Sequence, residues 1–195
     1  MSEAPAPLRL FVALNLPDAV RAEVVEALGP LRGAIPPGVV SWVREPNLHL
    51  TLRFLGEVPA ERAAALAGAL DHTVADAVAP TLTLGGIGAF PTRERPRVLW
   101  VGVEMNVALA ALYQKVDDLC DTLGFGRESR PYRPHLTVGR VRAGRRPPAL
   151  DGAFLTTPRW SVRVPTVDLM SSELAPGGAR YRVLRAAPLS RREDA

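Results

Sequence analysis

The sequence is poor in the residues on which disulfides and zinc sites depend. It contains one cysteine, Cys120, so an internal disulfide is excluded. This cysteine falls at an apolar position of a helical pattern, and we expect a buried, inert thiol in a reducing compartment. Of the three histidines, neither His49 nor His135 has a cysteine or another histidine at ligand spacing. Since a zinc site needs at least three protein ligands, we expect no metal site.

Long apolar runs are also missing. The apolar stretch at residues 10–14 stops at Asn15 and is too short for a secretion signal or a membrane span. We therefore expect a cytoplasmic protein with no membrane partner. The sequence has neither a glycine-rich loop ending in Lys-Ser or Lys-Thr nor a nucleophile elbow. These absences argue against hydrolysis of nucleoside triphosphates and against catalysis by a serine nucleophile.

Lysine is almost absent, because 23 of the 24 basic residues are arginine and only Lys115 is lysine. The planar guanidinium group suits phosphate recognition, although abundant Ala, Gly, Pro and Arg together are also typical of coding bias. The spacing of the arginines is more informative than their number, because a dense cluster creates a local field that attracts anions. Such a cluster spans residues 127–146 and consists of Arg127, Arg130, Arg133, Arg140, Arg142, Arg145 and Arg146.

Two of the three histidines begin almost the same phrase, His-Leu-Thr-Leu at His49 and His-Leu-Thr-Val at His135. In a strand, alternate side chains share a face, so each phrase presents one imidazole and one hydroxyl and buries two apolar residues. With ten threonines in 195 residues, chance explains this repetition poorly. The two copies favour equivalent strands in two similar halves that face each other across a cleft. The third histidine, His72, is expected to be a solvated helix residue.

The hydrophobic pattern predicts one α+β domain over residues 1–189, followed by a disordered tail over residues 190–195. The expected helices cover residues 17–32, 59–77 and 107–123. The expected strands cover residues 9–16, 39–43, 49–54, 81–84, 97–103, 135–141, 159–171 and 180–187. A long loop is expected over residues 142–158 and a hairpin turn over residues 173–178. Because strands outnumber what alternating β-α-β units require, antiparallel sheets are favoured over a doubly wound fold.

Two histidines that face each other across a cleft suit phosphoryl transfer without a metal ion. One neutral imidazole can activate a nucleophile while one imidazolium protonates the leaving oxygen, since both forms are accessible near neutral pH. Thr51 and Thr137 are expected to donate hydrogen bonds to the nonbridging phosphate oxygens.

Four stretches resemble the RNA 2′,3′-cyclic phosphodiesterases of the two-histidine phosphoesterase superfamily, formerly called 2′-5′ RNA ligases. These stretches are residues 9–14, 47–57, 130–140 and 172–181. The resemblance implies a bilobal fold in which two antiparallel sheets with flanking helices surround a central cleft with pseudo-two-fold symmetry. It implies hydrolysis of a terminal 2′,3′-cyclic phosphate to a 2′-phosphate without a cofactor. His49 would be the general acid for the leaving 3′ oxygen, and His135 the base that activates water.

The resemblance also places a phosphate-contacting arginine at Arg140. Simple alternation puts this residue on the opposite face from His135, so we expect the strand to bulge or to end near Gly139.

Other candidate contacts are less directly supported by the pattern. Arg53 and Arg133 share by alternation the faces of the first and second motif, and Arg130 lies in the lead-in to the second. All three are candidate phosphate-binding residues. Phe11 and Tyr132 are candidate platforms for a base, because aromatic rings stack on single-stranded RNA ends without strong sequence preference.

The expected partners are RNA ends or small cyclic nucleotides, bound by a monomer. Hydrolysis and 2′-5′ RNA ligation remain open, because ligation resembles the same reaction reversed with an RNA hydroxyl in place of water. A noncatalytic module that binds RNA ends is the alternative from another class. Such a module would tolerate the loss of one motif histidine, and the presence of both favours catalysis.

Overall fold

The fold is taken from a computed structural model that describes residues 6–150, 156–175 and 178–191. The helices of this part of the chain are α1 (Asp18–Ala27), α2 (Gly29–Ala34), α3 (Ala60–Val74) and α4 (Val107–Thr122), with a 3-10 turn at Glu45–Asn47. The strands are β1 (Leu8–Asn15), β2 (Val40–Trp42), β3 (His49–Val58), β4 (Thr81–Pro91), β5 (Pro96–Val103), β6 (His135–Val141), β7 (Trp160–Arg163), β8 (Thr166–Ala175) and β9 (Gly178–Pro188).

The named strands pair antiparallel and form two groups of four. One group has the order β3-β1-β8-β9 and the other the order β6-β5-β4-β7, and β2 adds to β6. The two groups meet where β3 pairs with β6, through Leu50 and Leu136, so the whole forms one continuous sheet. Each of these leucines directly follows a motif histidine. The predicted antiparallel α+β fold with flanking helices is confirmed, and its two four-stranded groups are joined into one sheet by the motif strands.

Amphipathic helices cover one face of this sheet. On α3, residues at steps of three and four are buried, namely Ala63, Leu66, Leu70 and Val74. On α4 they are Leu109, Leu112, Val116, Asp117 and Cys120, and the Asn106 side chain caps this helix by accepting a hydrogen bond from the Leu109 amide at 2.9 Å. Burial raises the pKa of the Cys120 thiol to about 11, as expected for an inert thiol. His72 is exposed on α3, as predicted.

The core leucines Leu50 and Leu136 lie on the helix-covered face, so the motif histidines and threonines lie on the other face of the sheet. We call this second face the motif face. Phe11, Ala13 and Met170 form a separate small apolar cluster there. The helices therefore supply the core and leave the motif face free of them.

Strand β4 is longer than predicted. We expected it to stop at Leu84 because glycines follow, but it pairs with β5 as far as Pro91. One of these glycines is needed for close packing and does not form a loop. A Cβ at Gly88 would lie 2.1 Å from the Trp100 ring, so only glycine lets the ring pack against the strand.

The single strand predicted over residues 159–171 is two strands. The chain leaves the sheet at Val164 and Pro165, so that β7 pairs with β4 while β8 pairs with β1. Proline has no amide hydrogen to continue a ladder. The predicted hairpin joins β8 to β9 with Ala175 opposite Gly178, and the turn residues 176–177 lie outside the described residues.

The chain is still hydrogen-bonded past residue 189, which corrects the start of the expected tail. Ser190 forms a parallel bridge with Val78 and exchanges backbone hydrogen bonds with Ala77 and Ala79. Residues 192–195 lie outside the described residues, as do residues 151–155 of the predicted long loop. Among the described residues, no helix combines the length and apolar character needed to cross a membrane.

Candidate active site

His49 is held by hydrogen bonds at both ring nitrogens. Its Nδ1 lies 2.8 Å from the backbone oxygen of Asn47, and its Nε2 lies 3.0 Å from Oγ1 of Thr51. A backbone carbonyl can only accept, so Nδ1 carries the hydrogen and the neutral ring presents the lone pair of Nε2. Thr51 then donates its hydroxyl hydrogen to Nε2.

His135 is oriented in the same way. Its Nδ1 donates to the backbone oxygen of Arg133 at 2.6 Å. In both motifs the accepting carbonyl belongs to the residue two places before the histidine. Both rings therefore have the same tautomer, and Nε2 is the atom available for proton transfer in each.

Aromatic side chains support the two imidazoles. The His49 ring lies 4.9 Å from Phe11 and 5.3 Å from Tyr181, whose ring meets it edge-on at 82°. The His135 ring lies 5.0 Å from Phe90, also at 82°, and 6.3 Å from Trp100. The space that Gly88 leaves free accommodates this Trp100 ring. These contacts remove water from the rings and restrict their rotation.

Burial lowers the pKa of both histidines, because the charged imidazolium loses hydration. The neighbouring charge of His135 lowers the pKa of His49 further, and that of Arg140 lowers the pKa of His135. The bond to the carbonyl opposes this in each case. The free site therefore favours two neutral imidazoles, and a bound anion would favour protonation of one of them.

A β-bulge in β3 interrupts simple alternation after the first motif. On β1, Ala13 pairs with Thr51 and the adjacent Val12 pairs with Arg53, so Leu52 is an extra residue. Residues directly opposite each other share a face. Thr51 therefore lies on the motif face with Ala13, whereas Arg53 lies on the core face with Val12.

A matching bulge occurs in β6, three residues past His135. Trp100 of β5 pairs with Thr137 and the adjacent Leu99 pairs with Gly139, so Val138 is the extra residue. Gly139 then lies on the core face. A larger residue would not fit there, because its Cβ would lie 2.7 Å from Val40.

The two bulges return the fifth residue after each histidine to the motif face. In β6 this residue is Arg140, so the expected bulge near Gly139 is confirmed. Arg140 is exposed and close enough for its charge to act on His135. In β3 the equivalent residue is Phe54, which is 60% exposed and whose ring lies 5.8 Å from that of Phe11.

The prediction that Arg53 contacts the phosphate is wrong. Its side chain is buried, with an ion pair to Asp117 at 3.2 Å, a second to Glu128 at 3.7 Å and a hydrogen bond to the Gly126 carbonyl at 2.5 Å. The cause is the bulge at Leu52, which turns Arg53 away from the motif face. Arg53 joins β3 to α4 and the segment that follows it.

Arg133 and Arg130 are both exposed. Arg133 contributes its carbonyl to His135. The Arg130 guanidinium lies 3.7 Å from the Glu128 carboxylate. These two arginines remain candidates, with Arg130 partly neutralised by its neighbour.

Neither proposed base platform presents a free ring on the motif face. Phe11 is only 2% exposed, because it belongs to an interior strand and packs beneath His49. Tyr132 stacks on Tyr113, with ring centroids 4.1 Å apart and the planes at 5°, and its hydroxyl donates to the Thr51 carbonyl at 2.9 Å. Tyr132 thus tethers the two motif segments instead of offering a stacking surface.

Sequence reasoning missed the aromatic residues around the histidines and missed Phe54. A signal was available for Phe54, because the two motifs are similar and a bulge inferred for the second applies equally to the first. Sequence reasoning also missed a partly buried pair beside His49. The Asn15 amide donates to the Asp168 carboxylate at 2.6 Å, and burial raises the pKa of Asp168.

Among the described residues, no group of three histidine, cysteine, aspartate or glutamate side chains is placed to hold a metal ion.

Comparison with known families identifies the family of this chain. The profile of the 2′-5′ RNA ligase superfamily matches residues 16–175, which is most of the chain. The chain belongs to the 2′-5′ RNA ligase superfamily. Both motif histidines and both bulges lie within the matched region. The predicted family and the prediction of an enzyme are confirmed.

Relatives within this superfamily match over most of the chain. The RNA 2′,3′-cyclic phosphodiesterase of Archaeoglobus fulgidus is 34% identical over 180 residues, which are 91% of this chain and 98% of that protein. An enzyme of the same name from Geobacillus stearothermophilus is 34% identical over 137 residues, and the match covers only 43% of that longer protein. The crystal structure of Escherichia coli LigT complexed with 3′-AMP matches with a TM-score of 0.78 at 31% identity, covering 94% of this chain and 99% of LigT.

Proposed function

We propose that this member of the superfamily hydrolyses a terminal 2′,3′-cyclic phosphate of RNA to a 2′-phosphate, without a metal ion. The observation that carries the proposal is the matched pair of imidazoles on one face, each held by a carbonyl two residues earlier with Nε2 available. Relatives named RNA 2′,3′-cyclic phosphodiesterase support the substrate class. The 3′-AMP complex of the structural relative supports binding of a nucleotide at this kind of site.

In the proposed step, Nε2 of His135 takes a proton from water as the water oxygen bonds to phosphorus. The bond from phosphorus to the 3′ oxygen breaks, and Nε2–H of His49 gives its proton to that oxygen. Burial lowers the pKa of His135 and the charge of Arg140 lowers it further, which suits a base that must be neutral before the reaction. The anionic substrate supplies the charge that favours protonated His49.

Three further residues would hold the phosphate. The Thr51 hydroxyl, which donates to His49 in the free protein, would turn to a nonbridging oxygen once Nε2 is protonated. Thr137 would do the same from the other motif, and Arg140 would neutralise the developing charge. The fit of these residues to one phosphate follows from their shared face.

Phe54 replaces Phe11 and Tyr132 as the proposed platform for the terminal base. Its ring is the exposed aromatic surface at the position equivalent to Arg140. The pseudo-two-fold site is thereby made asymmetric, with a cation on the His135 side and an aromatic ring on the His49 side. This asymmetry would orient the nucleotide so that the 3′ oxygen faces His49.

The experiment is to incubate the protein with an oligonucleotide that ends in a 2′,3′-cyclic phosphate, with and without excess EDTA. Chromatography against 2′- and 3′-phosphate standards identifies the product. The proposal expects a 2′-phosphate at the same rate in both conditions. A 3′-phosphate would reverse the roles of His49 and His135, and loss of activity with EDTA that a divalent ion restores would indicate metal-assisted hydrolysis.

Ligation is tested in the same experiment by adding RNA with a 5′-hydroxyl end. In ligation the 5′-hydroxyl of the RNA takes the place of water and displaces the same 3′ oxygen with the same two histidines, so a 2′-5′ linked product would appear alongside hydrolysis. A noncatalytic binding module would yield neither product. Action in the cytoplasm as a monomer stays a prediction.

A further inference from the structure

A cavity of about 520 Å³ lies beyond the end of β6, and its lining is dominated by arginine. Two segments build it: the start of β5 with the residue before it, and the last residue of β6 with the loop that follows. Half of the ten lining residues are Arg95, Arg97, Arg142, Arg145 and Arg146. We call it the five-arginine groove. The arginines of the first segment lie far along the chain from the basic cluster found in the sequence, and folding brings them to it.

Among the described residues, no carboxylate lines the groove. None of the ion pairs between described residues involves the five arginines of the groove. Two other arginines of the basic cluster differ. Arg127 lies within 4 Å of Asp117, Asp118 and Asp121, and Arg130 lies beside Glu128. These two arginines are already paired with acids, whereas the arginines of the groove share one cavity.

The backbone under these arginines is fixed. The Arg142 amide donates to the Val39 carbonyl at 2.9 Å, and the Arg145 amide closes a turn onto the Arg142 carbonyl at 3.0 Å. Pro96 and Pro147, one from each segment, are buried. Five like charges around one cavity repel each other, and an anion with several negative charges would relieve this repulsion.

The groove lies just beyond the Arg140 end of β6. His135, Thr137 and Arg140 follow one another along the motif face of β6, and the groove begins at Val141. Because Arg140 pairs with Val98, the Arg97 end of β5 lies beside this same end of β6. Arg142 is the seventh residue after His135, and because Val138 is a bulge residue the path between them covers about six strand steps, which at ~3.3 Å per residue is roughly 20 Å. A stacked single strand advancing about 3.4 Å per nucleotide would fill this path with about six nucleotides.

We infer that the five-arginine groove binds backbone phosphates of the RNA chain that precedes the cyclic end. The inference rests on the proposed function and extends it, because it makes a polynucleotide the preferred substrate over a free cyclic nucleotide. Guanidinium forks bind phosphate oxygens in pairs. None of the described residues that line the groove is aromatic, so the groove would hold the backbone without reading the bases.

The test compares substrates of increasing length that carry the same 2′,3′-cyclic end, from a mononucleotide to a dodecanucleotide. We expect kcat/KM of the wild-type protein to rise with length and to level off near six nucleotides. The variant Arg142→Gln/Arg145→Gln/Arg146→Gln should lose most of this rise and keep wild-type kinetics on the mononucleotide. Its matched control is Arg127→Gln/Arg159→Gln/Arg185→Gln, which removes the same charge from exposed arginines that are paired with acids.

Salt dependence gives a second readout. Each phosphate contact on a single strand contributes about −0.7 to the slope of log kcat/KM against log salt for long substrates. The groove variant should therefore reduce this slope by about 2, while the control leaves it near the wild-type value. Circular dichroism checks that both variants are folded.

The outcomes separate the groove from the proposed function. If no substrate, including the mononucleotide, is hydrolysed, the proposed function fails. If the mononucleotide is hydrolysed but length has no effect, or if the groove variant keeps the length effect and the salt slope, the inference about the groove is wrong while the function stands. A variant that impairs mononucleotide and oligonucleotide equally would place the groove in the site for the cyclic end and would also overturn the inference.

Discussion

Leu50 and Leu136 form the residue pair through which β3 and β6 meet, and each directly follows a motif histidine. The pairing is antiparallel, so the register puts His49 opposite Thr137 and Thr51 opposite His135. The two leucines anchor this register in the core, since both are fully buried. The repeated phrase thus encodes a local two-fold relationship between the two motifs.

Substitution of Arg53 should affect stability more than chemistry. Arg53→Met removes the closer of the two arginines that pair with the buried Asp117 carboxylate, and we expect a loss of about 3–5 kcal/mol in the free energy of unfolding. Urea denaturation measures this loss. The comparison variant Arg140→Met should leave the unfolding free energy within about 0.5 kcal/mol of wild type, because Arg140 is exposed.

For turnover, the order of the same two variants should be reversed, with the larger effect in Arg140→Met. Arg140→Met removes the charge that we propose acts on the phosphate, and we expect turnover to fall at least about tenfold. The folded fraction of Arg53→Met should keep most of its turnover. If Arg53→Met were stable but inactive, Arg53 would belong to the site after all.

Gly88→Ala should damage the site without touching either histidine. The added Cβ would lie 2.1 Å from the Trp100 ring, so this ring must move and the packing around His135 is lost. We expect lower turnover, lower stability and altered tryptophan fluorescence. Gly68→Ala is the control: nothing lies within 4 Å of its Cβ, and in the interior of α3 alanine should raise stability by about 1 kcal/mol. Equal behaviour of the two variants would show that Trp100 does not support the site.

The pH dependence of kcat/KM should be a bell displaced to the acid side. This quantity reports the free enzyme, in which burial lowers the pKa of both histidines below the ordinary value of 6.5. The acid limb arises where the base becomes protonated and the alkaline limb where the acid loses its proton, so both limbs move down. The kcat profile should lie at higher pH, because the bound phosphate anion favours imidazolium. Coincident profiles, or a single rising limb up to pH 9, would contradict this account.

Arg140→Gln provides a sharper form of this measurement. Removal of the positive charge raises the pKa of His135, and if His135 is the base the acid limb should move up more than the alkaline limb. Since the two histidines titrate as a coupled pair, the comparison is between limbs rather than absolute values. A shift confined to the alkaline limb would assign the acid role to His135.

Phe54→Ala should weaken binding of the RNA end. Loss of one base-stacking contact is worth about 1–3 kcal/mol, so we expect KM to rise by roughly 5- to 150-fold with a smaller change in kcat. Phe54→Trp should retain the wild-type KM, because another aromatic ring preserves the stacking surface. Val107→Ala, another truncation of an exposed apolar residue, is the control outside the site. An unchanged KM in Phe54→Ala would show that Phe54 is not the platform for the terminal base.

Much of the site could be predicted because its key residues lie in strands and repeat. Strand alternation and the His-Leu-Thr phrases were sufficient to place His49, Thr51, His135 and Thr137 on one face. Alternation failed beyond the bulge at Leu52, and the error for Arg53 follows directly from it. A bulge depends on pairing with a neighbouring strand, so its location is set by tertiary contacts and not by local pattern.

The remaining errors have the same origin in tertiary packing. Phe11 and Tyr132 have the chemistry of base platforms, but the chain covers their faces with His49 and Tyr113. The extension of β4 past its glycines depends on the Trp100 ring from the next strand. The five-arginine groove combines segments about forty residues apart, and only the fold reveals that Arg95 and Arg97 belong to it.

The most direct test of the central claim is the turnover of an RNA oligonucleotide with a 2′,3′-cyclic phosphate end by His49→Ala and His135→Ala. Each variant removes one of the two proton-transfer groups, so we predict that each lowers kcat by at least about two orders of magnitude while circular dichroism shows a retained fold. Thr51→Ala and Thr137→Ala should have smaller effects. A folded His49→Ala or His135→Ala protein that keeps a rate near that of the wild type would contradict the paired acid-base mechanism.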